Sequence, residues 1–132
     1  MAVYILTAAQ LRGAGILNSF IIPSSSTPPT PTFDADAQAF ITAAAITDPT
    51  QQTAINTLVV SMKGYGVWTK MKALYPMVGG TASQHKFNLK NPLDTNAAFR
   101  LVFNGGWTHS STGALPNGIN SWADTFLPIF FS

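Results

Sequence analysis

The side chains able to do chemistry in this chain are few and scattered. A hydrolase could be assembled from Ser110 or Ser111, His85 or His109, and Asp94 or Asp124. Such a triad is defined by geometry rather than by possession of the three residue types. There is no Gly-x-Ser-x-Gly elbow to expose a nucleophile. A glycosidase needs two carboxylic groups at a set separation. The chain has five Asp and no Glu, and Asp34 and Asp48 are better placed to start helices. A metal would have to be held by His85 and His109 with carboxylates, and no ligand spacing supports one. Cysteine is absent, which excludes disulfides, thiolate zinc sites and cysteine nucleophiles. Gly79-Gly80 and Gly105-Gly106 lack the lysine that follows a phosphate-binding loop, so they read as turns. No catalytic residue, cofactor or metal is expected. The one ligand-binding arrangement worth weighing is a sugar platform of Trp107 and Trp122, near Asn104, Asn117 and Asp124. Against it stands the plainer reading that both tryptophans serve the core or a subunit contact.

Charge narrows the classes further. Seven Lys and Arg against five Asp leave a formal charge of +2. That is too weak for nucleic acid, whose binding requires a basic patch to displace counterions. Lys63, Lys70 and Lys72 read as a solvated helix face. Charged residues make up only 9% of the chain, while 46% are hydrophobic. Soluble domains carry about 25% charged residues. Surfaces so poor in solvated groups are expected to end against protein, in an oligomer or assembly. No apolar run approaches the roughly 20 residues of a membrane span. The start, Met1 to Thr7, lacks the basic region and long apolar core of a secretory signal, which points to synthesis in a cytoplasm.

Three parts must position these residues. Residues 1–22 are apolar, with Thr7 to Gln10 fitting a capping box and Leu6 and Leu11 flanking it as a staple. Gly13 and Gly15 then interrupt, and Ile16 to Ile22 suits a strand or docking peptide. This part cannot build a core of its own. Tyr4, Ile5, Leu6, Leu11, Ile16, Leu17, Phe20, Ile21 and Ile22 are therefore candidate anchoring residues. Residues 23–32 carry four prolines and form a stiff, extended linker, about 30 Å long at roughly 3 Å per residue.

Residues 33–132 form the domain, expected to be α+β: two to three helices, then a small antiparallel β-sheet. A first helix is predicted from Asp34 to Ala45, with Ala37, Phe40, Ile41 and Ala44 on one face. A second starts at Asp48, with Pro49 in its first turn and Gln51 completing a capping box. It continues through Ile55, Leu58, Val59 and Met62, and Gly64 or Gly66 closes it. A further turn or two is predicted over Val67, Trp68, Met71, Leu74 and Tyr75. Strands are predicted over His85–Lys90, Ala98–Phe103 and Trp107–Ser111, the last two hairpin-linked through Asn104-Gly105-Gly106. Beyond Asn117-Gly118 the chain reads as loop until an apolar end. There Phe126, Ile129, Phe130 and Phe131 are candidate interface residues, too apolar to stand in water.

Several long stretches are similar to a module of tailed-bacteriophage proteins. They are Phe33 to Ile41, Ile46 to Gln51, Ala54 to Val59, Gly64 to Ala73, Tyr75-Pro76, Gly79 to Lys90 and Ala98 to His109. The resemblance runs from residue 33 to about 127. In that family the module often precedes a concanavalin-like (laminin-G-like) β-sandwich in fibre and appendage proteins. Here the chain ends shortly after Asp124-Thr125-Phe126-Leu127, where further strands of such a sandwich would follow. The resemblance implies a non-enzymatic virion component: a head or tail fibre or appendage subunit attached through residues 1–32. Its partners would be capsid or fibre proteins and copies of itself. A small carbohydrate- or receptor-binding module is the alternative.

Overall fold

The computed structural model describes residues 32–129, so the predicted anchor over 1–22, nearly all of the linker, and Phe130 and Phe131 lie outside the described residues. Helix α1 spans Ala35–Ala43 and α2 spans Pro49–Gly64. Asp34 caps α1 by accepting from the Asp36 amide at 3.0 Å. Asp48 caps α2 by accepting from the amides of Thr50 and Gln51 at 2.7 and 3.2 Å. Each cap satisfies N–H groups that have no partner within the helix. Gln51 does not complete the capping box. Its Oε1 instead accepts from the Gly79 amide, 28 residues on, at 2.8 Å.

Both helices end the same way, with different residues. After α2, Gly66 takes a φ of 68°, and the Gly66 and Val67 amides bond back to the carbonyls of Lys63 and Met62. After α1, the same pair of bonds runs from Ala45 and Ile46 to Thr42 and Ile41. Here the left-handed position belongs to Ala45, with φ 50°. The geometry is a Schellman motif, which glycine enters without the steric cost an alanine bears.

The two helices pack as a hairpin. Lys63, at the end of α2, reaches Asp34 and Asp36 at the start of α1, at 2.7 and 2.6 Å. The predicted face of α1 is buried in full: Ala37, Phe40, Ile41 and, just past its end, Ala44. They meet Ile55 and Val59 of α2, with Ile46, Trp68, Phe87 and Leu89. Leu58 lies at the edge of this core, mostly out of it. The extra helix predicted after α2 reduces to one 3₁₀ turn, Trp68–Lys70. Trp68 plugs into the core, with the Lys90 ammonium 3.8 Å above its ring. The chain then runs without regular structure to Gly80.

The predicted strand over His85–Lys90 does not form. His85 ends a short helix, α3 (Ala82–His85), and Asn88 to Asn91 make a tight turn closed by an isolated bridge. The alternation of polar and apolar residues misleads because Asn88, on the polar side of that pattern, is fully buried. Its Oδ1 accepts from the amides of Leu74 and Lys90, both at 3.0 Å. Its Nδ2 donates to the carbonyl of Ala98 at 3.0 Å and, more weakly, to that of Lys72 at 3.4 Å.

A second 3₁₀ turn, Asn96–Ala98, precedes four short strands: β1 (Val102–Asn104), β2 (Trp107–Ser110), β3 (Gly113–Pro116) and β4 (Trp122–Asp124). The domain is α+β, helices first. The predicted β1–β2 hairpin is wrong. β2 pairs with β3 across Ser111-Thr112, and β1 pairs antiparallel with β4, so that one hairpin is inserted between the strands of the other sheet. The expected loop after Asn117 thus contains β4. Gly105-Gly106 still turns, but it carries the chain from one two-stranded sheet into the next.

Two substitutions test these features. Replacing Asn88 with Ala strands the Leu74 and Lys90 amides and the Ala98 carbonyl, and should cost about 3 kcal/mol. Urea unfolding would register this as a lower midpoint at unchanged m-value; a loss below about 1 kcal/mol would mean that water replaces the amide. Ala45→Gly should raise stability by about 1 kcal/mol, because it removes left-handed strain from an alanine. A drop in melting temperature would contradict that account.

Candidate functional site

The β region gathers a cluster of rings. Phe103 on β1 stands edge-on to Trp107 and His109 of β2, with centroids 5.2 and 4.6 Å apart. His109 in turn lies against His85 of α3, at 5.1 Å between centroids. The two histidines face each other through Nδ1, 2.9 Å apart. Edge-to-face pairs of this kind add to the stabilisation from burial alone. His85 is buried, and its Nε2 has no hydrogen-bond partner. Burial, and then the charge that His109 can carry, lower the His85 pKa below the ordinary imidazole value.

The groups a triad would need are committed elsewhere. The Asp94 carboxylate binds Lys86 and Arg100, each at 2.6 Å, and these cations hold its pKa below the ordinary carboxylate value. Asp124 accepts from the Phe126 amide at 2.9 Å. Ser110 Oγ lies 2.8 Å from Thr112 Oγ1 within the β2–β3 turn. Asp34 and Asp36 both engage Lys63, whose bond lowers the Asp34 pKa first among its causes, and Asp48 caps α2. Lys63 is thus an ion-pairing residue between helices rather than part of a solvated face. Among the described residues no group of three or more His, Asp or Glu is placed to hold a metal ion.

Trp107 and Trp122 come close without forming a shared platform. The Trp107 indole N–H donates to the Asn104 carbonyl at 2.9 Å and leans toward the Trp122 carbonyl at 3.4 Å. Trp122 sits opposite Asn104 in the β1–β4 ladder, with 57% of its surface exposed. The neighbouring amides are spent on their own loop. Asn117 Oδ1 accepts from the Ile119 and Asn120 amides, and its Nδ2 donates to Asn120 Oδ1 at 2.8 Å. That loop clasps Gly106, whose carbonyl accepts from the Asn117 amide at 2.9 Å and from the Ser121 hydroxyl.

Trp122 lies in a stretch of chain with several exposed apolar side chains and almost no charge. Leu115, Ile119 and Ile129 are exposed, Ile119 at 88%. Phe126 is half-buried, in a left-handed conformation at φ 54°. Between Leu101 and Ile129, Asp124 is the sole Asp, Glu, Lys or Arg. Of the apolar end expected to bury, Ile129 is therefore open to solvent within this chain. Leu115 and Ile119 were not singled out by residue type. The signal that marks them is the long interval without charge.

These features define a small α+β domain with a helical hairpin, a two-stranded sheet whose strands enclose a β-hairpin in sequence, an aromatic–histidine cluster and several exposed apolar side chains in a charge-poor stretch. No family model, curated protein or solved structure matches the chain. Among the described residues no helix is long and apolar enough to cross a membrane.

The clasp on Gly105-Gly106 can be tested directly. Gly105 has φ 77°, and a Cβ there would be driven into the Asn120 carbonyl oxygen. Gly118 has a similar φ, 73°, but open space where a Cβ would go. Gly118→Ala should cost about 1 kcal/mol, the backbone term alone. Gly105→Ala should cost at least about 2 kcal/mol and perturb the near-ultraviolet circular dichroism of the tryptophans. Equal costs for the two would show that the Asn117–Ser121 loop yields freely.

Proposed function

We propose that this chain is a non-enzymatic structural component of a bacteriophage particle, a head or tail fibre or appendage subunit. Residues 1–22 would anchor it, and the α+β domain would contact other virion proteins or copies of itself. The observation that carries this reading is the exposure of the apolar side chains Leu115, Ile119, Trp122 and Ile129, in a stretch with one charged residue. Exposed apolar patches mark interaction surfaces, and charge is depleted at the centres of protein interfaces. The resemblance to a tailed-phage module over residues 33 to about 127 would supply the context of a virion. The reading requires no cofactor, nucleic acid or membrane span, and it places the protein in the particle after synthesis in a host cytoplasm. A carbohydrate-binding module is the second reading, favoured by the open ring of Trp122 alone.

Peptide mass spectrometry of density-banded phage particles from the cells that encode this chain tests the proposal. The expected result is its presence at a fixed ratio to the major capsid protein, and that ratio gives the copy number. Absence from the particles would overturn the virion reading and make glycan screening, with Trp122→Ala as control, the next experiment.

A further inference from the structure

We propose that His85 and His109 form an acid-opened clip, which fastens the β2–β3 hairpin to the helical part of the domain at neutral pH and releases it when both rings are protonated. One polar link does the fastening. Among the described residues, the His85–His109 contact is the only hydrogen bond between residues 107–116 and residues 32–98. The short helix α3 also packs against β3, and one further close approach is backbone on backbone. Gly80 lies so near Ser110 and Ser111 that a Cβ on it would stand 3.4 Å from the Ser111 amide nitrogen. That contact excludes side chains but contributes no bond.

Two Nδ1 atoms 2.9 Å apart must share one hydrogen. In the neutral pair one ring donates and the other accepts. A proton added at the far Nε2 of the donating ring leaves the shared hydrogen in place, as a charge-assisted bond. A second added proton puts N–H against N–H and sets two cations face to face, one of them on a buried ring. No carboxylate stands by to neutralise them. From its own side His85 has Lys86 next in the chain, with its ammonium on Asp94; Arg100 holds the other oxygen of that carboxylate. From β1 the cluster receives the Phe103 ring, and β3 contributes Gly113, Ala114, Leu115 and Pro116, none of which titrates. On β2 the neighbours of His109 are Trp107, Thr108 and Ser110.

The direction of the pH dependence follows. Burial and His109 lower the His85 pKa in the folded chain below its ordinary value of 6.5. The unfolded or opened form therefore binds the proton more tightly, and the clip's contribution is complete above about pH 6.5 and is lost as pH falls below it. The clip is independent of the proposed virion role.

Amide hydrogen exchange on the full chain, corrected for the intrinsic rate, tests this. Between pH 7.5 and pH 5, protection of residues 107–116 should fall at least tenfold, while that of Ile55 to Met62 in α2 stays level. In His85→Gln, which can donate and accept without titrating, hairpin protection should not change with pH. Imidazole nitrogen NMR on the unsubstituted chain gives a second readout should that variant fail to fold. His85 should titrate below pH 6.5, with the hairpin amide shifts moving at the same midpoint. Hairpin protection that ignores pH, loss of α2 in step with the hairpin, an equal loss in His85→Gln, or hairpin amides indifferent to the imidazole titration would each overturn the proposal.

Discussion

The arrangement of the whole domain depends on one buried amide. Asn88 has no exposed surface, and its two donors and two acceptor positions are all used, on Leu74, Lys90, Ala98 and Lys72. Apart from Ala98, which ends a 3₁₀ turn, the residues it joins lie outside helices and strands, so their backbone groups lack the partners that regular structure would supply. A side chain able to give and take two bonds at once is the compact solution. With that amide in place, the Leu89 amide reaches the Leu74 carbonyl and the Leu101 amide reaches the Lys86 carbonyl, both at 2.8 Å. Leu89, Ala98 and Leu101 are thereby buried, and β1 begins where the last of these connections ends.

Tyr75 and Phe99 extend the same support. Phe99 sits in the left-handed region at φ 59°, unusual for a bulky side chain. The Tyr75 hydroxyl donates to its carbonyl, and Thr95 holds the turn in front of it by accepting from the Ala98 amide. Strain at one residue is held by contacts from two segments, which is the condition under which such conformations persist. The irregular run after α2 is thus the brace between the helices and the strands.

The β region is built on a different economy. Two-stranded sheets are marginal alone. Here each is supported by the other, by the Asn117–Ser121 loop folded over Gly106, and by the rings of Phe103, Trp107 and His109. Few charges are spent on this half of the molecule, and its apolar residues stay open. The helical half carries more charge, with ion pairs that join Lys63 to Asp34 and Asp36, and it closes a core inside while leaving Val60, Tyr65 and Leu93 exposed.

Local chemistry made the helices readable from the residues alone. Aspartate before α1 and before α2, proline in the first turn of α2 and the spacing of Phe40, Ile41, Ile55 and Val59 each act within a few residues of themselves. The sequence by itself also determined that charge would be scarce from Leu101 onward, and it marked Trp107 and Trp122 with Asn104 and Asn117 in that stretch. Only the tertiary structure decided that Ala45 turns left-handed after α1, that Asn88 goes inside, that β1 skips its neighbour to pair with β4, and that His85 meets His109. Each of these turns on partners distant in the chain or on a conformation that its residue type disfavours. A pattern of residue types records which face of a short segment is apolar. It does not record which remote backbone groups are left unpaired, and here those groups chose the buried amide and the order of the strands.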